Sequence, residues 1–241
     1  MVWHLSGEHR YAVVDYKGSW NIGAFIVATN KFVLLGDGFR PQIIDEIRRA
    51  LRAPIVVQRI YDEDLVGCFI AASTHGVLVP YEASDEELDS LKSILEVNVA
   101  RVRFEGTYSN AIGNIILVAN RKALIHDSIY VRNRSIIDTI EDVLDVEVIP
   151  FETELTNAIA SYIIANSRGL VVSPLFRDEE IDRLRELLGI PSKNVVVSTV
   201  NMGNPIVRSG CVANDYGIVV GCRTSGVELA QMFGALIGGE S

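Results

Sequence analysis

Covalent chemistry in this chain would fall to three cysteines, Cys68, Cys211 and Cys222. A cysteine is a useful nucleophile only where a base or a positive charge holds it as the thiolate. The available histidine bases are His4, His9, His75 and His126, and no two of them have metal-ligand spacing. The cysteines form no CxxC and no even disulfide set, which fits a reducing cytosol. Two carboxylate clusters, Asp85-Glu-Glu and Asp178-Glu-Glu, each open a helical stretch, where they complement the helix dipole. No phosphate-binding glycine loop follows a strand. These residues assign no catalytic group, no metal site and no cofactor.

What the side chains do is set by the elements that carry them, and those elements repeat. Phe25-Ile-Val-Ala-Thr-Asn-Lys-Phe-Val-Leu-Leu35 reads as an apolar run, a polar turn and a second apolar run, the pattern of a β-hairpin. It returns at residues 69–79, 115–125, 162–172 and 210–220. The residue after each turn is Phe32, Gly76, Lys122, Gly169 and Gly217, spaced by 44, 46, 47 and 48 residues. Such a period signals a repeat architecture. A helical stretch follows each hairpin, at 42–51, from Ser84 to Leu95, and at about 135–144, 178–188 and 225–236. Ser84 with Glu87 has capping-box spacing. Four units add a third strand, at 54–61, 97–104, 146–151 and 194–200. The fifth stops short of one, while residues 8–17 read as a strand with no hairpin. Residues 10–16 are therefore expected to complete the fifth unit and cover an exposed edge. The expected fold is α/β. It is one closed domain, a five-fold pseudosymmetric αβ-propeller of strand–strand–helix–strand repeats with the helices outside. The repeats span about 21–64, 65–110, 111–157, 158–205 and 206–241, closed by the N-terminal strand at 8–18.

A formal net charge of -9 disfavours a large nucleic-acid interface, which needs a basic face. It favours a basic protein partner, with any RNA contact local. No apolar run approaches the roughly 18–20 residues of a membrane span, and the N-terminus has no secretory apolar region. The expectation is a cytoplasmic monomer without membrane contact.

Stacking the repeats sorts the reactive residues. Cys211 shares an apolar column with Ile26, Ile70, Ile116 and Ile163 and reads as a small core residue. Cys68 shares a small, semi-polar column with Ala24, Asn114, Ser161 and Ser209 and reads as a packed thiol. Gly23, Gly67, Gly113 and Ala160 form a column where five strands converge, implying close backbone approach at the axis. Arg208 interrupts that column, a positive group at the mouth of the axis that a phosphate or carboxylate could use. His75 falls in a turn column and His126 in a post-hairpin column, and both read as surface residues.

Four segments, in order and in repeat register, carry a family resemblance: His75-Gly-Val-Leu-Val-Pro80, Ala111-Ile-Gly-Asn114, Ser198-Thr-Val-Asn-x-Gly203 and Val212-Ala-Asn-Asp-Tyr216. Five such repeats with N-terminal closure resemble the pentein fold. Within it, essentially the whole chain resembles translation initiation factor six in its tail-less archaeal form. The resemblance implies a non-enzymatic factor that binds the joining face of the large ribosomal subunit beside the sarcin–ricin loop. Such factors dock mainly on a neighbouring ribosomal protein, with local rRNA contact, and block the small subunit. Arg208 departs from the family pattern, which has a small residue there. Two other functions compete. Pentein enzymes modify guanidino groups with a cysteine nucleophile and a histidine base, and a ring of this kind could also be a protein-binding scaffold unrelated to ribosomes.

A ring has two ends, one carrying the hairpin turns and the other the inter-repeat loops. The loop end is expected to bind, since loops on a rigid scaffold commonly carry function. Its candidate residues are Asn110, Gly113, Asn114, Asn201, Met202, Gly203, Asn204 and Arg208. A bulky acid at Asn114 or Asn201 is expected to weaken binding and leave thermal stability nearly unchanged.

Overall fold

The computed structural model describes residues 10–106 and 110–238. The first two residues of the expected closing strand and residues 107–109 of one inter-repeat loop lie outside that range.

The chain enters on β1 (Tyr11–Val14). The first unit is a 3₁₀ turn (Ile22–Ala24), β2 (Ile26–Ala28), β3 (Val33–Leu35), α1 (Pro41–Leu51) and β4 (Ile55–Val57). The second is α2 (Val66–Phe69), β5 (Ala71–Ala72), β6 (Gly76–Pro80), α3 (Asp85–Leu95) and β7 (Asn98–Val102). The third is α4 (Ile112–Ile115), β8 (Leu117–Ala119), β9 (Lys122–His126), α5 (Asp127–Arg132), α6 (Ile137–Leu144) and β10 (Glu147–Phe151). The fourth is a 3₁₀ turn (Ile159–Tyr162), β11 (Ile163–Ala165), β12 (Leu170–Val172), α7 (Asp178–Leu188) and β13 (Val195–Val197). The fifth is α8 (Val207–Gly210), β14 (Cys211–Ala213), β15 (Ile218–Gly221) and α9 (Gly226–Leu236).

Each unit forms a three-stranded sheet with an antiparallel hairpin and a parallel outer strand. In the fifth sheet the outer strand is β1, parallel to β15 from Tyr11 opposite Ile218 to Val14 opposite Gly221. The expected closure is therefore what the chain does. The inner strands β2, β5, β8, β11 and β14 neighbour one another in a full circle. Asn214 ties the seam: its amide donates to the carbonyls of Thr29 and Leu51 in the first unit.

The core explains why one unit cannot stand alone. It divides into five clusters, each drawn from two neighbouring units. Ile22, Ile26 and Ile47 of the first unit pack with Val212 and Val219 of the fifth and with Val14 of the closing strand. The longer helices sit outside with one buried stripe each, as Ile43, Ile47, Ala50 and Leu51 show in α1.

Two expectations need correction. The glycine column lies in single turns of helix, not in strands, since Gly23, Gly67 and Gly113 belong to the turns that precede the inner strands. Three or four residues are too few for a helical period to show against a β-branched background. The third unit also begins its helical region at Asp127, earlier than expected, because the His126 side chain accepts the Ser128 N–H and caps α5.

The close approach at the axis holds. A Cβ on Gly67 would stand 2.0 Å from the Gly23 carbonyl oxygen, and one on Gly113 2.2 Å from that of Gly67. Both obstacles are backbone, so the ring itself must yield. Gly67→Ala is expected to destabilise the protein by about 1–3 kcal/mol, read from the urea midpoint. A midpoint equal to that of the unaltered protein would contradict this packing.

Candidate functional site

Strand direction fixes what each end carries. The outer strands run parallel to the second hairpin strand, so both finish at the loop end, where the next unit begins and the long helices start. That end displays Trp20, Tyr81, Leu175, Met202, Ile206 and Val227 as exposed large apolar side chains. It also carries the acidic first turns of α3 and α7, with Asp85, Glu86, Asp178 and Glu179 exposed, whereas α1 has no acid in its first turn. The turn end receives the helix C-termini with Arg48, Arg49, Lys92 and Arg185. Lys31, His75, Arg121 and Arg168 stand in its hairpin turns.

The most prominent feature of the loop end is the turn from Val200 to Asn204. These two residues bridge each other through both backbone bonds, at 3.0 and 2.7 Å. Between them Asn201, Met202 and Gly203 take left-handed φ values of 52°, 65° and 100°. Left-handed backbone is costly outside glycine and persists where the surroundings impose it. Glu228, in the first turn of α9, imposes it. Its carboxylate accepts from Thr199 Oγ1 at 2.7 Å, Gly203 N at 3.0 Å, Met202 N at 3.3 Å and Ser225 N at 2.7 Å. Burial raises its pKa, but the hydrogen bonds from Thr199, Ser225 and Gly203 outweigh burial and bring it down to about 2. Sequence reasoning missed Glu228. The available signal was a second Ser-x-x-Glu box, Ser225 with Glu228, in the position that Ser84 and Glu87 hold in the second unit.

The eight candidate residues separate by depth. Met202 is 71% exposed and, with Gly203 and Asn110, forms the outer surface. Asn204 is half-buried, and its amide braces the turn to Ser209 Oγ at 3.2 Å and to the Ile206 N–H at 2.9 Å. Asn201 is buried beneath the turn. Its Nδ2 donates to the Trp20 carbonyl at 3.2 Å and its Oδ1 accepts from Thr224 Oγ1 at 3.2 Å. Gly210 and Gly221 are bare because a Cβ on either would strike the Asn201 amide. The expectation that Asn201 can be replaced without loss of stability is therefore corrected. Gly113 is buried in the axial ring, and Asn114 is half-buried with its side chain on the Cys68 thiol. Arg208 does not reach the rim. It extends into the axis, where its Nη2 lies 3.5 Å from the Gly67 carbonyl oxygen.

No described cysteine sits beside a histidine in the described contacts. Burial pushes the Cys68 thiol up, against opposing pulls from the Arg208 charge and the Asn114 amide. Cys211 is wholly buried among apolar side chains, and burial pushes its thiol up as well. His75 is exposed at the turn end, with Thr74 Oγ1 and Asp145 for neighbours. His126, expected at the surface, is buried: its Nε2 lies 2.9 Å from the Thr153 carbonyl oxygen and its Nδ1 2.9 Å from Ser128 Oγ. Among the described residues no helix is long and apolar enough to cross a membrane, and no group of three acidic, histidine or cysteine side chains could hold a metal ion.

The sequence model of the eIF-6 family matches residues 11–235. Eukaryotic translation initiation factor 6 of Dictyostelium discoideum is 32% identical over 219 residues, covering 90% of this chain and 87% of the relative. Translation initiation factor 6 of Thermococcus onnurineus is 31% identical over 226 residues, covering 92% of this chain and 96% of the relative. Among solved structures, a substrate-bound mutant of the N-terminal domain of ArgZ, an arginine dihydrolase of cyanobacteria, aligns with a TM-score of 0.46 and 11% identity. That alignment covers 78% of this chain and 69% of the other.

Proposed function

The chain belongs to the eIF-6 family, and on that premise we propose that its loop end binds the joining face of the large ribosomal subunit and blocks premature association with the small subunit. The role is steric and needs no catalytic group. The partner is a basic ribosomal protein beside the sarcin–ricin loop, with local rRNA contact.

One observation carries the choice of face: exposed apolar side chains and acidic helix starts share the loop end. An interface core favours apolar and aromatic groups with little charge to desolvate, and Met202, Trp20 and Ile206 supply them. Trp20 is held by the Arg223 guanidinium, 4.4 Å from the ring centroid. Around them the exposed Glu86, Asp178 and Glu179 offer a rim that attracts a basic surface and steers encounter. Asn201 and Glu228 serve from below, by fixing the turn that presents Met202.

Co-sedimentation with isolated large subunits at moderate salt tests this. The intact chain should migrate with the subunit, and failure to do so removes the ribosomal reading. Met202→Glu places a charge on an exposed position and leaves the fold intact. It is expected to weaken binding at least tenfold, about 1.4 kcal/mol, with an unchanged melting temperature. Equal affinity would move the interface to another surface.

A further inference from the structure

The axis of the ring is a well with a cation at its floor. From the turn end it opens through a chamber of about 280 Å³, walled in part by the turns Thr29-Asn30, Ser73-Thr74 and Asn214-Asp215. Below lies a smaller chamber of about 60 Å³. The two share Ala28, Ala72, Val118, Ala165 and Ala213, one from each unit, so they lie along one path. The Arg208 side chain lines the lower chamber. It fits there because its column partners are Gly23, Gly67, Gly113 and Ala160, which leave the space that one long side chain takes.

That arginine is poorly satisfied by the protein. A guanidinium has five N–H donors and stays charged in proteins. Among the described residues the acceptor that reaches it is the Gly67 carbonyl, at the long distance of 3.5 Å. Cys68 is the ionisable neighbour that acts on it, and its thiol is neutral because burial pushes it up. Among the described residues no carboxylate lines the lower chamber, whose walls are alanine, valine, leucine and isoleucine with Cys211. At the mouth, Arg121 is paired with Asp145 at 2.8 Å, and the Asp215 carboxylate accepts from Asn30 Nδ2 and the Ser167 N–H; among the described residues Arg208 is the cation in the well that no carboxylate reaches. Arg208 is half-buried, open to the chamber, and a charge held among apolar walls favours an opposite charge beside it. The inner strands add donors, because each is the inner edge of its sheet and keeps a second row of backbone groups without a strand partner.

We infer that the axis binds a small inorganic monoanion of halide size against the Arg208 guanidinium. One cation calls for one negative charge. The lower chamber exceeds the roughly 10–15 Å³ needed for one water but is too small for an organic acid with its hydration. The upper chamber is the entry path.

Bromide is the probe. Crystals of the full chain grown in sodium bromide should show an anomalous peak at the bromine edge within hydrogen-bond reach of the Arg208 guanidinium. In solution, melting is compared in sodium bromide and sodium gluconate at equal ionic strength. Gluconate is too large for the lower chamber. A tenfold excess of bromide over its dissociation constant should raise the melting temperature by about 3 °C or more. In Arg208→Met that difference should vanish. No anomalous peak at Arg208, or an equal bromide effect in Arg208→Met, overturns the inference and leaves the chamber to water. Should the variant not fold, the anomalous map of the unaltered chain decides alone.

Discussion

Tyr16→Ala should lower the unfolding free energy by about 3–5 kcal/mol, the range for removing a buried aromatic side chain. Tyr16 follows the closing strand β1 and is 5% exposed. Its ring stacks on Phe25 with centroids 3.8 Å apart and meets Phe39 edge-on at 4.8 Å. Its hydroxyl donates to the Asp64 carboxylate, and the Asp37 carbonyl lies 2.6 Å away. Asp64 also receives Lys17 at 3.2 Å and Arg59 at 3.2 Å. Burial raises the Asp64 pKa, but these donors together hold it below the usual carboxylate value. One side chain thus joins the closing strand, the first hairpin and the linker into the second unit. Tyr16→Phe keeps the ring packing and should cost about 1–2 kcal/mol, the hydrogen-bond share alone. Denaturant midpoints of the two variants separate packing from hydrogen bonding. If Tyr16→Ala melted like the unaltered chain, the seam would not be held by this residue.

Glu228→Gln should cost about 2–3 kcal/mol and reduce large-subunit binding with it. Glutamine presents an amide nitrogen where the carboxylate offers a second acceptor. In one orientation it sets N–H against the N–H groups of Ser225 and Met202, and in the other against that of Gly203. The same residue predicts a pH signature. Its pKa falls from an ordinary 4.5 to about 2 on folding. A depressed carboxylate contributes stability that is complete above pH 4.5 and lost as pH falls towards 2. The stability gap between the unaltered chain and Glu228→Gln should therefore be constant near neutrality and narrow between pH 4.5 and 2. A gap independent of pH would show that Glu228 is not held as an anion by the turn.

The sequence displays the ring because its evidence is periodic. Hairpin marks recur at regular spacing, and a surplus strand at one end matches a deficit at the other. The glycine column was legible for a similar reason: side chains vanish wherever backbones of successive units touch. Features that depend on a single repeat were harder to see. The inward path of Arg208 follows from the smallness of Gly23, Gly67, Gly113 and Ala160, yet an arginine among glycines also reads as a strand end reaching solvent. Asn201 has the composition of an adaptable surface loop, and its burial comes from Trp20, 181 residues earlier in the chain. Glu228 lies 25 residues beyond Gly203, so no local pattern links the carboxylate to the turn it holds. His126 reads as exposed because a hairpin end is usually a surface, and Thr153, just past the end of β10, covers it.

Two faces of the disc could meet the partner, and the loop end is the one proposed. A cryo-electron microscopy reconstruction of the full chain on an isolated large subunit tests this directly. Density should place Met202, Trp20 and Ile206 against the subunit, with the hairpin turns at Lys31, His75, Arg121 and Arg168 directed away from it. A map with those hairpin turns buried on the subunit, and Met202 facing solvent, would contradict it.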